Sequence, residues 1–155
     1  MLHKSKISKK QTFALSDYIL SNSFDIVAVT ETWLGSSVDK ACINELVPCG
    51  YQIKHVPHLD SLHGGGVALI YKSSVEVCIV SSTNDKDFST FEYMDCNVLI
   101  NDYSLCLAVL YRPPPTREIG LKTSVFLEQE WSMFLTKYTR IDTTSIIVGD
   151  LKYSH

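Results

Sequence analysis

The stretch FDIVAVTE at residues 24–31 is a short apolar run that ends on a carboxylate, Glu31. A second stretch, TSIIVGD at residues 144–150, repeats this arrangement near the other end of the chain and ends on Asp150. Short runs rich in Val and Ile predict buried strands that are covered on both faces. Ligands bind at the carboxyl ends of strands in α/β sheets, so two acids from distant segments predict a site for a divalent cation or a held water. Either acid alone is better explained as the cap of the following turn.

The composition predicts one globular domain. The chain has 155 residues, of which 45% are hydrophobic and 20% are charged, and that length suffices to bury about two-thirds of the unfolded surface. A formal net charge of −3 gives no global electrostatic reason to bind nucleic acid, so a local basic patch must supply it. The basic residues 3–10 precede no apolar segment, and no run approaches membrane-spanning length. We therefore expect an intracellular protein, of the nucleus or cytoplasm, without a signal peptide or a transmembrane segment.

The cysteines indicate reduced thiols and no disulfide partners. There are five of them, scattered and without a C-x-x-C pair, as is typical of intracellular proteins. A zinc site that combines Cys42 and Cys49 with His55, His58 and His63 is disfavoured, because these spacings match no common zinc framework.

Periodicity predicts helices near both ends of the chain and strands between them. Helices are predicted over residues 9–22, 36–46 and 123–140. In the first, Tyr18 and Ile19 lie on the apolar side. In the last, Leu127 belongs to a buried stripe. Strands are predicted over residues 67–72, 75–80, 94–100, 103–111 and 144–150, with a hairpin-length link at Ser73-Ser74 and a polar loop over 54–66. This order favours a layered α/β sandwich with mixed, mostly antiparallel sheets flanked by helices.

The glycine triplet at residues 64–66 could suggest a phosphate-binding loop. It lacks the spacing of either nucleotide fingerprint and enters a strand rather than a helix. A tight turn in the sandwich is the better interpretation.

Four motifs stand in order along the chain: TETWL at 30–34, GGGVALIY at 64–71, YRPP at 111–114 and VGDL at 148–151. Together they closely resemble the reverse-transcriptase-associated endonuclease domain of non-LTR (LINE-type) retrotransposons. That domain belongs to the endonuclease/exonuclease/phosphatase superfamily, with the apurinic endonucleases and pancreatic deoxyribonuclease. The resemblance implies a deoxyribonuclease-like four-layer α/β sandwich. We expect residues 1–11 to form a basic disordered arm and residues 12–155 an incomplete domain of this superfamily.

The resemblance also implies Mg²⁺-dependent hydrolysis of phosphodiesters in DNA. Glu31 matches the family's metal-binding glutamate, a hard oxygen ligand suited to Mg²⁺. Tyr111 matches the tyrosine whose hydroxyl reaches the scissile phosphate. Asp150 matches the aspartate that orients or deprotonates the attacking water. Arg112 and Lys152 are expected to contact the substrate from the same face.

The departures from the family pattern concern catalysis. The family places an asparagine two residues after the strand-end aspartate, and this chain has Lys152 there, a mobile cation that cannot hold the same geometry. Residues 1–10 contain neither an apolar first strand nor its asparagine, and no later strands precede His155 to carry the family's second aspartate and its histidine. These departures predict a remnant, truncated at both ends, with impaired catalysis and weak Mg²⁺ binding.

Two other functions stay open at this point. A domesticated module that binds nucleic acid or protein without cutting is the main alternative. The third function is that of a phosphoesterase of the same superfamily that acts on lipids or nucleotides. The residues of the motifs TETWL and YRPP disfavour it.

Overall fold

The structure is a computed structural model that describes residues 9–34, 40–57, 65–114, 123–138 and 143–152. The helices are α1 (Lys9–Asn22), α2 (Lys40–Leu46), α3 (Thr123–Val125) and α4 (Trp131–Tyr138), with a π-helical turn (Phe126–Glu130) between the last two. The strands are β1 (Ile26–Thr30), β2 (Tyr51–Val56), β3 (Val67–Lys72), β4 (Glu76–Ser82), β5 (Glu92–Ile100), β6 (Tyr103–Arg112) and β7 (Thr144–Leu151). Residues 1–8 of the expected arm lie outside the described residues, and α1 already begins at Lys9.

The described strands form two sheets. One has the order β1-β3-β2 and is antiparallel throughout; the other has the order β4-β5-β6-β7, in which only β6 and β7 run parallel. This confirms the predicted mixed, mostly antiparallel sheets. The link at Ser73-Ser74 is not a hairpin, because β3 and β4 belong to different sheets. A hairpin with a two-residue turn joins β5 to β6. Its turn residues Asn101 and Asp102 have φ angles of 45° and 69°, as a type I′ turn requires.

Apolar clusters among the described residues separate four layers. One cluster joins α1 and α2 to the outer face of the first sheet, and it includes Ile19, Leu46 and Ile70. A second lies between the two sheets, with Leu69 and Val109 at its centre. A third packs the aromatic residues of α4 and the π-helical turn against the outer face of β5 and β6: Phe88, Phe91, Tyr93, Phe126, Phe134 and Tyr138. The predicted four-layer α/β sandwich is therefore confirmed.

Strand β2 lies partly where the sequence predicts a polar loop. Tyr51 and Ile53 are half-buried, whereas Gln52 and Lys54 are exposed. This alternation has the period of a strand with one covered face. It was missed because the signal is short and stands between Gly50 and Pro57.

Strands β1 and β7 lie at the edges of the sheets formed by the described strands, and both are partly exposed, so the prediction that both are covered on both faces is wrong. Residues 144–147 of β7 are all exposed, with Ile146 at 41% and Ile147 at 37%. In β1, Ala28 is exposed and its neighbours are only partly buried. Val and Ile favour the extended conformation, but the burial of a strand depends on which strands and helices lie beside it.

The helix predicted over residues 123–140 is interrupted by the π-helical turn, and residues 139–140 lie outside the described residues. A π turn changes the helical register, and Leu127 is consequently 49% exposed while Phe126 is fully buried. Tyr18 of α1 is also 58% exposed, although the sequence predicts it on the apolar side. None of the helices in the described ranges is long and apolar enough to cross a membrane.

Candidate active site

The ends of three strands meet at one edge of the sandwich, where the two sheets face each other. Tyr111 and Asp150 are register partners in the parallel pair of β6 and β7. Glu31 directly follows β1, which lies against both β6 and β7. The Tyr111 hydroxyl lies close enough to the Glu31 carboxylate to lower the pKa of Glu31 and to have its own pKa raised, so these two side chains meet where the first sheet faces the second. The structure thus brings the three predicted catalytic residues together.

Lys152 lies in the middle of this group. Its Nζ is 2.6 Å from Glu31 Oε1 and 3.2 Å from Asp150 Oδ2. The same atom lies 5.7 Å from the centroid of the Tyr111 ring. The side chains of Lys152, Glu31 and Asp150 are 41%, 38% and 44% exposed. The site is therefore open to solvent, yet its ammonium is turned inward to the two carboxylates.

The pKa values of the site follow from these contacts. Partial burial raises the pKa of Glu31, but the hydrogen bonds from Lys152 and Tyr111 and the Lys152 charge outweigh it, and the net change is downward. The hydrogen bond to Glu31 raises the pKa of Lys152. Burial, followed by the neighbouring Glu31, raises the pKa of Tyr111. At neutral pH the site therefore contains a charged Glu31, a charged Lys152 and a neutral phenol.

A strained turn fixes the position of Glu31. Glu31 and Trp33 have φ angles of 55° and 53°, in the left-handed region that costs a residue with a side chain about 1–2 kcal/mol. The N–H groups of Thr32 and Trp33 donate to the carbonyl oxygens of Gly66 (3.2 Å) and Gly65 (2.8 Å). These two glycines, just before β3, therefore hold the turn that presents Glu31.

Sequence reasoning missed this support. The glycines were expected to form a tight turn, and their φ angles of 137° and 84° at Gly65 and Gly66 do require glycine. The N–H of Gly66 also donates to Glu92 Oε2 at 2.6 Å, and Glu92 is only 7% exposed. The one available signal was a carboxylate within the apolar run FEYM at residues 91–94.

Gly149 allows Asp150 to lie beside Tyr111. A Cβ atom at position 149 would lie 2.0 Å from the carbonyl oxygen of Leu110, well inside any permitted contact. Glycine is therefore required where β7 approaches β6, one residue before the candidate general base.

Arg112 lies inside the protein. Its side chain is fully buried, its guanidinium lies 5.0 Å from the Phe126 ring centroid, and its Nη1 donates to the carbonyl oxygen of Lys152. The N–H of Lys152 in turn donates to the carbonyl oxygen of Arg112 at 3.2 Å. Arg112 thus positions the backbone of Lys152. Its expected contact with substrate stays a prediction.

The donors around the site do not form a Mg²⁺ centre in this arrangement. Glu31 supplies the carboxylate that the resemblance assigns to metal, and Asp150 supplies a second. Among the residues that the structure describes, no group of three or more His, Cys, Asp or Glu side chains could hold a metal ion. The Lys152 ammonium contacts both carboxylates. Mg²⁺ coordinates carboxylate oxygens at about 2.0–2.1 Å, so it would compete with the ammonium for them.

The family model described as "Endonuclease/Exonuclease/phosphatase family" matches residues 8–151. The chain belongs to this family. The resemblance drawn from the four motifs is confirmed at that level. A search of the sequence against curated proteins found no match.

Solved structures of this fold align with nearly all of the chain. The mannosyl-6-phosphatase Bt3783 of Bacteroides thetaiotaomicron is 16% identical, with a TM-score of 0.61 over 91% of this chain and 56% of that one. TDP2 of D. rerio, in complex with a single-strand DNA product, is 13% identical, with a TM-score of 0.61 over 96% and 55%. The AP endonuclease LMAP of Leishmania major is 15% identical, with a TM-score of 0.60 over 92% and 50%. The chain spans about half the length of these proteins, and the likeness confirms the deoxyribonuclease-like fold.

Proposed function

We propose that this chain derives from the Mg²⁺-dependent DNA endonuclease domain of a non-LTR retrotransposon and that it is catalytically impaired. The observation that carries the proposal is the convergence of Glu31, Tyr111 and Asp150 at one edge of the sandwich. Family membership supports hydrolysis of a phosphate ester as the reaction class. The residues of the four motifs and their order along the chain support the retrotransposon origin. An intracellular location, in the nucleus or cytoplasm, accompanies this proposal.

Each residue has a role in the proposed reaction. Asp150 accepts a proton from the attacking water, and the Tyr111 hydroxyl donates a hydrogen bond to a non-bridging phosphate oxygen. Glu31 is the residue assigned to the metal, and in the present arrangement it holds Tyr111 and Lys152. Lys152 is the exposed cation that an arriving phosphate would meet, in competition with the two carboxylates.

We expect the impairment because the side chains of the site contact one another rather than a substrate. The Tyr111 hydroxyl lies beside the Glu31 carboxylate, and both carboxylates form ion pairs with Lys152. Catalysis of phosphoryl chemistry depends on donors and charges that are aimed at the transition state. Groups that already bind each other must first be separated, so we expect the rate to fall by several orders of magnitude.

A plasmid-nicking assay in Mg²⁺ tests the proposal. The wild-type chain is compared with Asp150→Ala and Glu31→Ala, and the expected result is the same background nicking in all three. Nicking by the wild-type chain that disappears in both variants would reject the impairment and establish an active endonuclease.

The pairing of the site's side chains with one another also favours a second candidate function. In it, the chain is a module that binds nucleic acid without cutting it. Fluorescence anisotropy with single-stranded and duplex DNA at two salt concentrations separates the two functions. Saturable, salt-sensitive binding without nicking would support the module, and the absence of binding would reject it.

A further inference from the structure

We propose that Lys152 is the resident cation of this site: its ammonium pairs with Glu31, the carboxylate that the resemblance assigns to metal, and with Asp150, and so excludes a divalent ion from Glu31. This inference rests on the proposed function, since it concerns the same site. It goes beyond that function by assigning the cation position to a side chain of the protein itself.

The first support is the set of partners around Nζ. The ammonium contacts Glu31 in the turn after β1 and Asp150 in β7, at 2.6 and 3.2 Å. These carboxylates come from different sheets, so the ammonium links the two sheets at the site. On another side it meets the Tyr111 ring, with 5.7 Å from Nζ to the centroid, which is within the range of a cation–π contact.

The second support is the way the lysine is anchored. A lysine near a strand end is ordinarily a flexible surface chain. Here the main chain of Lys152 is bonded in both directions to Arg112, through its own N–H at 3.2 Å and through its carbonyl oxygen. Arg112 is fully buried against Phe126. The ammonium therefore starts from a point fixed on the core, and a tethered cation has a high effective concentration at its carboxylates.

The third support is charge. Glu31 and Asp150 bring two negative charges, and the ammonium cancels one of them. A divalent ion bound to Glu31 would stand within a few ångströms of Nζ, where like charges repel strongly. Metal binding thus requires Lys152 to leave, and removal of its charge should raise metal affinity at least about tenfold.

Mn²⁺ is the probe, and its binding is measured by electron paramagnetic resonance and calorimetry without substrate. The wild-type chain is expected to show no saturable binding. Lys152→Met is expected to saturate with Mn²⁺ at concentrations at least about tenfold below the highest at which the wild-type chain shows no saturation, and Lys152→Met combined with Glu31→Gln should lose that binding. Lys152→Arg keeps the charge and should behave as wild type.

A matched control removes an ion pair away from the site. Lys137 pairs with Asp87 on the surface beside α4, so Lys137→Met should leave Mn²⁺ binding unchanged. The inference is overturned if the wild-type chain binds Mn²⁺ as tightly as Lys152→Met, or if Lys152→Met gains no affinity.

The wild-type chain keeps the inference testable even if Lys152→Met does not fold. Its unfolding midpoint should be the same with and without Mn²⁺, because a ligand that does not bind the folded state cannot stabilise it. An upward shift that Glu31→Gln abolishes would reject the resident cation. These results do not depend on cleavage, whereas nicking by the wild-type chain would reject the proposed impairment.

Discussion

Strands β6 and β7 lie side by side and have similar apolar sequences, yet only β6 is inside the protein. Every residue of β6 from Cys106 to Arg112 is buried, whereas β7 exposes Ile146 and Ile147. Both strands nevertheless end at the candidate site. From this difference we expect β6 to provide most of the stability of this region, while the last residues of β7 provide geometry.

The largest expected effect contrasts one apolar position in each strand. Leu110 of β6 is fully buried in the aromatic cluster against α4, so Leu110→Ala should lower the free energy of unfolding by about 2–5 kcal/mol. Ile147 of β7 is 37% exposed, and Ile147→Ala should cost less than about 1 kcal/mol. Urea denaturation measures both changes. Equal losses would show that β7 is as firmly packed as β6.

Gly149 is the position at which β7 should not tolerate substitution. The added methyl group of Gly149→Ala meets the main chain of Leu110, and such overpacking costs about 1–3 kcal/mol. The control is Gly50→Ala, where the φ angle is 83° but no atom lies within 4 Å. That variant should lose only about 1 kcal/mol for the backbone conformation. A Gly149→Ala chain as stable as wild type would mean that β7 can move away from β6.

Acid should weaken the helix-covered side of the second sheet. The Glu130 carboxylate accepts hydrogen bonds from the N–H and hydroxyl groups of Ser89 and Thr90. Partial burial raises the pKa of Glu130, but these hydrogen bonds outweigh it and lower the pKa overall. The stabilisation is therefore present above the ordinary pKa of a glutamate and is lost as the pH falls through the lowered value.

The variant Glu130→Gln isolates this contribution. It should lose about 1 kcal/mol at neutral pH, and its stability should fall less than that of wild type between about pH 7 and pH 3. Urea denaturation at both pH values provides the comparison. Parallel pH profiles for the two chains would assign the acid sensitivity to other groups.

The smallest expected change in stability concerns the exposed edge. Ile147→Lys should alter the free energy of unfolding by no more than about 0.5 kcal/mol, and it should reduce self-association, since lysine on an edge strand opposes pairing with another chain. Light scattering against concentration measures this, and unchanged association would show that the β7 edge is not the contact surface.

Local pattern was enough to predict many of the elements. The bounds of α1 and β3 agree with the sequence, because residue preferences and periodicity act over a few neighbours. The motifs also identified Glu31, Tyr111 and Asp150, which the structure brings together.

Long-range placement could not be obtained in this way. The burial of Arg112 depends on Phe126, and the exposure of β7 depends on what lies beside it. The position of the Lys152 ammonium depends on Glu31, which is 121 residues away in sequence. Nothing in the neighbourhood of Lys152 in the chain indicates that partner.

The most direct measurement of the central claim is a crystal structure from crystals soaked in Mn²⁺, with diffraction recorded at the manganese absorption edge. The account predicts Nζ of Lys152 between the carboxylates of Glu31 and Asp150 and no anomalous peak at that position. A manganese peak coordinated by Glu31, with the lysine turned out to solvent, would contradict it.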